Sequence, residues 1–288
     1  MTQQIRRRLV MTLAVIATLA ALWTRAFDVA AAAPRAEALT PYQNITLWDD
    51  GKVPLSEGAT GPLDAPFLTT FLPPPGKRNG ASVIVAPGGA NIMLMYGAEG
   101  LEIAERFNDW GVTAFVLTYR LSPKYNDAAR VLDGKRAIQM VRAHAREWAL
   151  DPARIGYIGF SAGSNMGRSV VASSTAGEAT AADPVDRVKS RPDYLALVYG
   201  AGRPTPGESL KDFPPTFLVS AAGDQGPSLG NAQLFIDLTK AGAVAEIHVY
   251  QKGRHGFGSG FGSPEFAEWM PALKHFLDLG GFLREPKS

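Results

Sequence analysis

Short apolar runs alternate with segments of helical periodicity along most of the chain. Apolar and β-branched residues fill six runs that predict strands, at 82–86, 112–119, 155–160, 194–199, 216–222 and 245–250. Helices are predicted between and after them, at about 98–110, 128–148, 162–174, 228–241 and 264–279. A repeated strand–helix order is typical of a mostly parallel sheet flanked by helices, so the pattern predicts an α/β fold.

Two of these helices carry an apolar stripe that indicates core packing. In the helix at 128–148 the stripe consists of Val131, Gly134, Ile138, Val141, Ala145 and Trp148, and Asp151-Pro152 is its predicted stop. In the helix at 228–241 it consists of Leu234, Phe235, Leu238 and Ala241, and Gly242 is the predicted stop.

The segments outside this alternation are few. A strand-like patch at 45–48 lies in a segment bearing Pro, Gly and Asp, and 67–72 is predicted to be an edge strand. Residues 173–192 are predicted to form a surface excursion, which is too short for a full lid domain. The predicted fold therefore has a minimal lid or none.

The first 33 residues have the pattern of a signal peptide. Three arginines at 6–8 precede an uncharged run from Leu9 to Thr24, and small residues follow at 30–33. The run is somewhat short for a membrane span, although an uncleaved anchor is the alternative. We therefore predict a leader at 1–33, a single domain at 34–288, and a periplasmic or secreted protein without a stable membrane span after cleavage.

Charge and cysteine content change the picture after cleavage. The leader holds four arginines and one aspartate, so its removal takes the formal net charge from +2 to −1. No long Lys/Arg run remains, which argues against nucleic acid as a partner. The chain has no Cys, so an exported domain must rely on a sizeable core.

The candidate nucleophile is Ser161 in Gly159-Phe160-Ser161-Ala162-Gly163, which follows a strand and opens a helix. A strand, a Ser flanked by glycines and a helix together are typical of a nucleophile elbow, where the tight turn excludes bulky neighbours. The alternative is a Gly-rich turn with a helix-capping Ser.

A serine nucleophile needs a base, and the chain has only four histidines. His144, His248 and His275 fall within predicted helices or strands, which favours structural roles. His255 lies in a Gly-rich loop directly after a strand and is the candidate base. The alternatives for this loop are a flexible surface loop or an anion cradle.

The candidate acid is Asp224, because it follows the strand at 216–222 and lies between Ser161 and His255 in chain order. A turn-forming Asp is the alternative. Asp212 and Asp237 are placed less well, before the strand and on a predicted helix.

A Gly-Gly loop after the strand at 82–86 is the candidate oxyanion site. The backbone N–H groups of Gly89 and Ala90, joined by that of Ala162 after the nucleophile, are the predicted donors. Asn91 ends this loop and is predicted to contact substrate.

Taken together, these stretches resemble the α/β-hydrolase fold, and more narrowly its small acetyl-xylan and feruloyl esterase-like enzymes. The resemblance covers about Leu47 to Phe282. It rests on the stretches Pro87-Gly88-Gly89, Glu99-Gly100, Tyr119-Arg120-Leu121, His144-Ala145, 151–156, 159–163 and His255-Gly256-Phe257. It implies Ser161 as nucleophile, His255 as base, Asp224 as acid, and Gly89, Ala90 and Ala162 as oxyanion donors.

The expected function is that of a secreted serine carboxylesterase, which would act on small-molecule or carbohydrate esters by way of an acyl-enzyme. No metal or organic cofactor is expected for this chemistry. A prolyl-oligopeptidase-like peptidase and a non-catalytic binding protein on a hydrolase scaffold are the alternatives. The sequence makes no prediction of oligomeric state.

Overall fold

The computed structural model describes residues 38–49, 51–57, 61, 63–202, 204 and 207–284, all within one compact unit of residues 38–288. The predicted leader at 1–33 lies outside the described residues, as do the first four residues of the predicted domain. Among the described residues, none of the helices combines the length and the hydropathy that a membrane span requires.

The described residues form one sheet of eight strands. The strands are β1 (Asn44–Thr46), β2 (Phe67–Phe71), β3 (Ser82–Ala86), β4 (Thr113–Thr118), β5 (Ile155–Phe160), β6 (Tyr194–Val198), β7 (Thr216–Ala221) and β8 (Ala245–Tyr250). Their order is β1-β2-β4-β3-β5-β6-β7-β8. The pairs β1–β2 and β2–β4 are antiparallel and the other pairs are parallel. The carboxyl ends of β3 and β5 to β8 therefore meet at one edge of the sheet.

Five α-helices are described: α1 (Glu102–Asp109), α2 (Asp127–Ala143), α3 (Ala162–Ala172), α4 (Gln225–Lys240) and α5 (Trp269–Leu279). A π-helical turn, Gly97–Leu101, leads into α1. Three 3-10 turns lie at Pro184–Arg187, Leu210–Asp212 and Pro264–Phe266.

The core has two layers because the central strands are buried on both faces, as covered parallel strands require. On one face, Ile84, Tyr157 and Leu218 belong to a cluster that includes residues of α2, α3 and α4. On the other, Val83, Phe160 and Val219 belong to a cluster with residues of α1 and α5. The predicted α/β fold with a mostly parallel sheet is confirmed.

The prediction that 67–72 is an edge strand was wrong. Strand β2 pairs with β4 on one side and with β1 on the other, with Asn44 opposite Thr69. The strand-like patch at 45–48 corresponds to β1, which is the actual edge. A three-residue strand has too little periodicity to reveal its partner.

The helix predicted at 128–148 ends earlier, at Ala143. The apolar stripe nevertheless continues, because Ala145 and Trp148 are buried in the turns that follow, and Trp148 stacks on Phe115. The apolar periodicity reflects the burial of these side chains, although the α-helical backbone has already ended. The predicted excursion at 173–192 holds one 3-10 turn, whose Asp183 and Asp186 pair with Arg136.

Candidate active site

Ser161 lies at the sharp turn between β5 and α3. Its φ of 49° and ψ of −111° are strained for a residue with a side chain. A Cβ on Gly163 would overlap the carbonyl oxygen of Ala86, and one on Gly159 would overlap that of Gly163. The two glycines of the predicted elbow are therefore sterically required.

Ser161 occupies the N-cap of α3, but its side chain makes no capping hydrogen bond. Its Oγ lies 2.7 Å from Nε2 of His255 instead. The capping-Ser alternative therefore does not describe this residue.

The structure brings His255 and Asp224 together as well. His255 Nδ1 lies 2.6 Å from Oδ2 of Asp224, so Ser161, His255 and Asp224 form one hydrogen-bonded chain. Ser161 directly follows β5, Asp224 closely follows β7, and His255 lies on the loop after β8. This is the edge of an open α/β sheet where sites are usually built.

The less favoured candidates have other contacts. His144 stacks on Trp148 and bonds Glu147, and His248 bonds Glu246. Asp212 accepts from Ser209, and Asp237 accepts from Gln233.

The loop after β3 is anchored at two points. The Tyr119 hydroxyl donates to Pro87 O at 2.7 Å, and Gly88 N donates to Glu99 Oε2 at 2.6 Å. Burial raises the pKa of Tyr119, which keeps the hydroxyl protonated as a donor. The next residues have unusual backbone angles, with φ of 54° at Ala90 and 63° at Asn91.

The three predicted donors keep their N–H groups available. Among the described residues, the backbone N–H groups of Gly89, Ala90 and Ala162 have no hydrogen-bond acceptor. Ala162 also opens α3, where the helix dipole favours negative charge. The loop lies against the elbow, since a Cβ on Gly88 would lie 2.8 Å from Ser161 Cβ.

A cavity of about 620 Å³ opens above Ser161 and His255. Ala162 and Asn91 line it too, so the structure places the residue predicted to contact substrate in the same cavity. Polar and apolar side chains share its walls, among them Asp127, Arg130, Val131, Asn165, Met166 and Pro227. Its volume suits a small organic substrate.

One wall of the cavity is formed by residues 199–202 and is held by α3. Asn165 accepts from Gly202 N at 2.8 Å, and Arg168 donates to Ala201 O at 3.1 Å. Arg168 also forms a buried ion pair with Glu208 at 2.8 Å.

Sequence reasoning missed Tyr199, which directly follows β6. Tyr199 is fully buried, has a φ of 38°, and packs its ring edge-on against His255, with centroids 4.9 Å apart. Burial raises the pKa of Tyr199 well above its ordinary value, and the nearby Glu99 carboxylate adds to the shift. The only available signal was its place at the carboxyl end of a buried strand.

Glu99 was noted in the sequence only within the stretch Glu99-Gly100 and was given no role. It is buried and bonds both Gly88 and Tyr199.

As for metals, no group of three or more His, Asp or Glu in the described part of the chain could hold an ion.

A protein-family comparison matches residues 68–190 to the family model described as BD-FAE. This region runs from β2 into the excursion after α3, and so includes Ser161 and the loop that bears Gly89 and Ala90.

Among sequence relatives, the chain is 26% identical over 262 residues to an acetylxylan esterase of Xylanibacter ruminicola. The match covers 83% of this chain and 50% of the relative. The chain thus spans about half the length of the relative it matches.

Among solved structures, the acetyl ester-xyloside bifunctional hydrolase of Caldicellulosiruptor lactoaceticus is 29% identical, with a TM-score of 0.75. The match covers 85% of this chain and 98% of that one. Esterase Est2 of Thermogutta terrifontis, at 19% identity, 89% and 100% coverage and a TM-score of 0.64, shares the fold. The chain therefore has the α/β-hydrolase fold, and its resemblance to the small acetylxylan esterase-like enzymes of that fold is confirmed.

Proposed function

We propose that this chain is a serine carboxylic-ester hydrolase with Ser161 as nucleophile, His255 as general base and Asp224 as the acid that orients the histidine. The observation that carries the proposal is the chain of two hydrogen bonds, 2.7 Å from Ser161 to His255 and 2.6 Å from His255 to Asp224. A weak hydroxyl nucleophile needs a base of this kind, held by a third group.

In the proposed acylation step, Nε2 of His255 takes the proton of Ser161 as Oγ attacks the ester carbonyl carbon. The carbonyl π electrons move to oxygen, giving a tetrahedral oxyanion. As the C–O bond to the alcohol breaks, the His255 imidazolium donates its proton to the leaving alkoxide. Asp224 accepts from Nδ1–H throughout and stabilises the imidazolium.

In the proposed deacylation step, a water gives its proton to His255 and attacks the acyl-enzyme. The second tetrahedral intermediate collapses, Ser161 regains its proton, and the carboxylic acid leaves. No group outside the chain is needed for this proton balance.

The N–H groups of Gly89, Ala90 and Ala162 are proposed to bind the oxyanion. Their lack of acceptors among the described residues supports this, because N–H groups without an internal partner can donate to the developing charge. Asn91 lines the cavity and is proposed to contact the substrate.

The proposed substrates are acetyl esters of small molecules or carbohydrates. Two similar proteins are called acetylxylan esterase and acetyl ester-xyloside bifunctional hydrolase, which supports this class. The amides and hydroxyls around the cavity, including Asn91, Asn165 and Ser169, are groups that can hydrogen-bond sugar hydroxyls.

The test of the proposed function is hydrolysis of 4-nitrophenyl acetate by the wild type and by Ser161→Ala. Loss of a triad member usually lowers the rate by on the order of 10⁴- to 10⁶-fold. Ser173→Ala is a matched control, because Ser173 lies at the other end of the same helix and its Oγ contacts only backbone. Equal turnover in wild type and Ser161→Ala would contradict the assignment.

A fluorophosphonate probe and a substrate panel separate the alternatives. Labelling of wild type but not of Ser161→Ala excludes a non-catalytic scaffold. Acetyl, butyryl and feruloyl esters with and without a sugar alcohol, beside a prolyl peptide amide, then identify the class. Preference for the peptide amide would favour the peptidase.

Export to the periplasm or beyond is proposed as well, on the Arg-rich start and apolar run of residues 1–33. Expression of the full chain in a Gram-negative host, followed by cell fractionation and N-terminal sequencing, tests it. A cytoplasmic product that keeps residue 1 would contradict export.

A further inference from the structure

Glu99 is a buried carboxylate beneath the candidate active site, on the π-helical turn Gly97–Leu101. Only 4% of the residue is exposed, and its carboxylate accepts two hydrogen bonds. Oε2 accepts from Gly88 N at 2.6 Å, and Oε1 accepts from the Tyr199 hydroxyl at 2.7 Å.

The first partner belongs to the candidate oxyanion loop. Gly88 directly precedes Gly89 and Ala90, and it is wedged between Glu99 and the elbow. A Cβ on Gly88 would lie 2.8 Å from both Glu99 Oε2 and Ser161 Cβ. The bond from Gly88 therefore orients the peptide that leads into the candidate donors.

The second partner reaches the loop that carries His255. The Tyr199 hydroxyl accepts from Gly258 N at 3.1 Å, and the Tyr199 ring contacts both His255 and Phe257. Burial raises the pKa of Tyr199, so its hydroxyl keeps the proton that it donates to Glu99. One carboxylate thus ties the Gly88 loop, the end of β6 and the His255 loop together.

This arrangement is costly for a purely structural contact. Glu99 has no ion-pair partner in the part of the chain that the structure describes, and a buried carboxylate without a cation is expensive to desolvate. The strained φ of 38° at Tyr199 adds to this cost. Local costs of this kind concentrate at functional sites.

We propose that Glu99 is a positioning residue that holds the candidate oxyanion loop and the His255 loop in register through Gly88 and Tyr199. The inference rests on the proposed esterase function, and it adds a residue that touches neither substrate nor the reacting atoms. Gln in this position has one acceptor oxygen for two donors, so Gly88 N–H or Tyr199 O–H loses its acceptor.

The experiment compares Glu99→Gln and Tyr199→Phe with wild type on 4-nitrophenyl acetate. We expect kcat to fall about 10- to 100-fold in Glu99→Gln, less than the roughly 10²- to 10³-fold loss of an oxyanion donor itself, with KM within about twofold. Tyr199→Phe keeps the ring against His255 and is expected to lose about 3- to 10-fold in kcat. The Kd of phenylboronic acid, whose serine adduct is tetrahedral, should rise by a factor comparable to the loss in kcat.

Glu102→Gln is the matched control. Glu102 accepts from Ser259 at 2.6 Å and so links the same helical region to the same loop, but it does not touch Gly88. We expect its kcat and boronate affinity to equal those of wild type.

Wild-type kcat and boronate affinity in a folded Glu99→Gln would overturn the proposal. So would a loss that Glu102→Gln shares. If Glu99→Gln does not fold, Tyr199→Phe decides, and unfolding of both variants would mean that the network serves stability alone. Absence of turnover in the wild type would instead contradict the proposed function. Failure of this inference and failure of the proposed function therefore give different results.

Discussion

Asp224 occupies the N-cap of α4 yet gives its carboxylate to His255, with Oδ2 2.6 Å from Nδ1 and no capping bond to the helix. An Asp at an N-cap ordinarily accepts from the backbone N–H of the second or third residue of the helix. Here that stabilisation is forgone for a bond across 31 residues of chain. Ser161 repeats the pattern at the N-cap of α3. Ser161 and Asp224 both occupy N-caps without making the capping hydrogen bond, and both bond to His255 instead. This distinguishes the N-termini of α3 and α4 from ordinary helix N-termini.

Asp224→Asn should lower kcat by about 10³- to 10⁴-fold and change KM by no more than a few-fold. Asn can donate to Nδ1, which favours the wrong imidazole tautomer and removes the charge that stabilises the imidazolium. Steady-state kinetics on 4-nitrophenyl acetate measure the loss. Asp237→Asn, at an exposed site on the same helix, is the control and should retain full activity. Near-normal kcat in Asp224→Asn would assign the acid elsewhere.

Gly163→Ala should destabilise the fold by about 3 kcal/mol, since the new Cβ overlaps the Ala86 carbonyl and the backbone must shift. Helix propensity alone would favour Ala by about 1 kcal/mol, so the sign of the change in the free energy of unfolding separates helix propensity from steric overlap. Thermal unfolding should show a midpoint lower by about 6–12 °C. In Gly97→Ala the added Cβ would meet no neighbouring atom within 4 Å, so the midpoint should not fall. An unchanged midpoint in Gly163→Ala would show that the elbow has room for a methyl group.

Glu208→Gln should cost about 3 kcal/mol in the free energy of unfolding, because it leaves the Arg168 guanidinium buried without its charge partner. Arg168 also holds the carbonyl oxygens of Ala201 and Gly202 in the cavity wall, so KM for acetyl esters should rise as well. Urea unfolding and steady-state kinetics measure the two effects. Asp278→Asn removes an exposed ion pair with Lys274 and should change stability by less than about 1 kcal/mol. Equal effects of the two substitutions would contradict this account.

Asp64 should contribute to stability at neutral pH and lose that contribution in acid. Hydrogen bonds from Lys124 and from the Tyr125 hydroxyl lower the pKa of Asp64 below its ordinary value of 3.8. A carboxyl whose pKa is lower in the folded state stabilises the fold above the unfolded pKa, and it loses this as the pH falls through the folded pKa. Asp64→Asn should therefore unfold at a lower temperature than wild type at pH 7.

The difference between wild type and Asp64→Asn should close below pH 3.8, in a series of melting curves from pH 7 downwards. Asp109→Asn, at an exposed carboxyl 3.8 Å from Arg106, is the control and should stay parallel to wild type. A gap between wild type and Asp64→Asn that persists at the lowest pH would show that the carboxylate charge is not the cause.

The sequence by itself determined the type and order of the elements and the positions of the loops that carry chemistry. Buried strands leave continuous apolar runs, and the elbow needs glycines at fixed spacing because no side chain fits two residues before or two residues after Ser161. These are local requirements, so the strands at 82–86, 155–160 and 245–250 were predicted to the residue. The helix predicted at 128–148 was too long, since periodicity follows burial rather than backbone hydrogen bonds.

Only the tertiary structure decided which distant side chains meet. Whether Asp224 would turn to His255 or cap its own helix depends on how β7 and β8 lie side by side. Pairing of β1 with β2 was invisible in a three-residue strand. The bond from Tyr199 to Glu99 joins residues 100 positions apart, which no local pattern records. Such contacts arise because a parallel sheet brings the ends of its strands to one edge, whatever length of chain separates them.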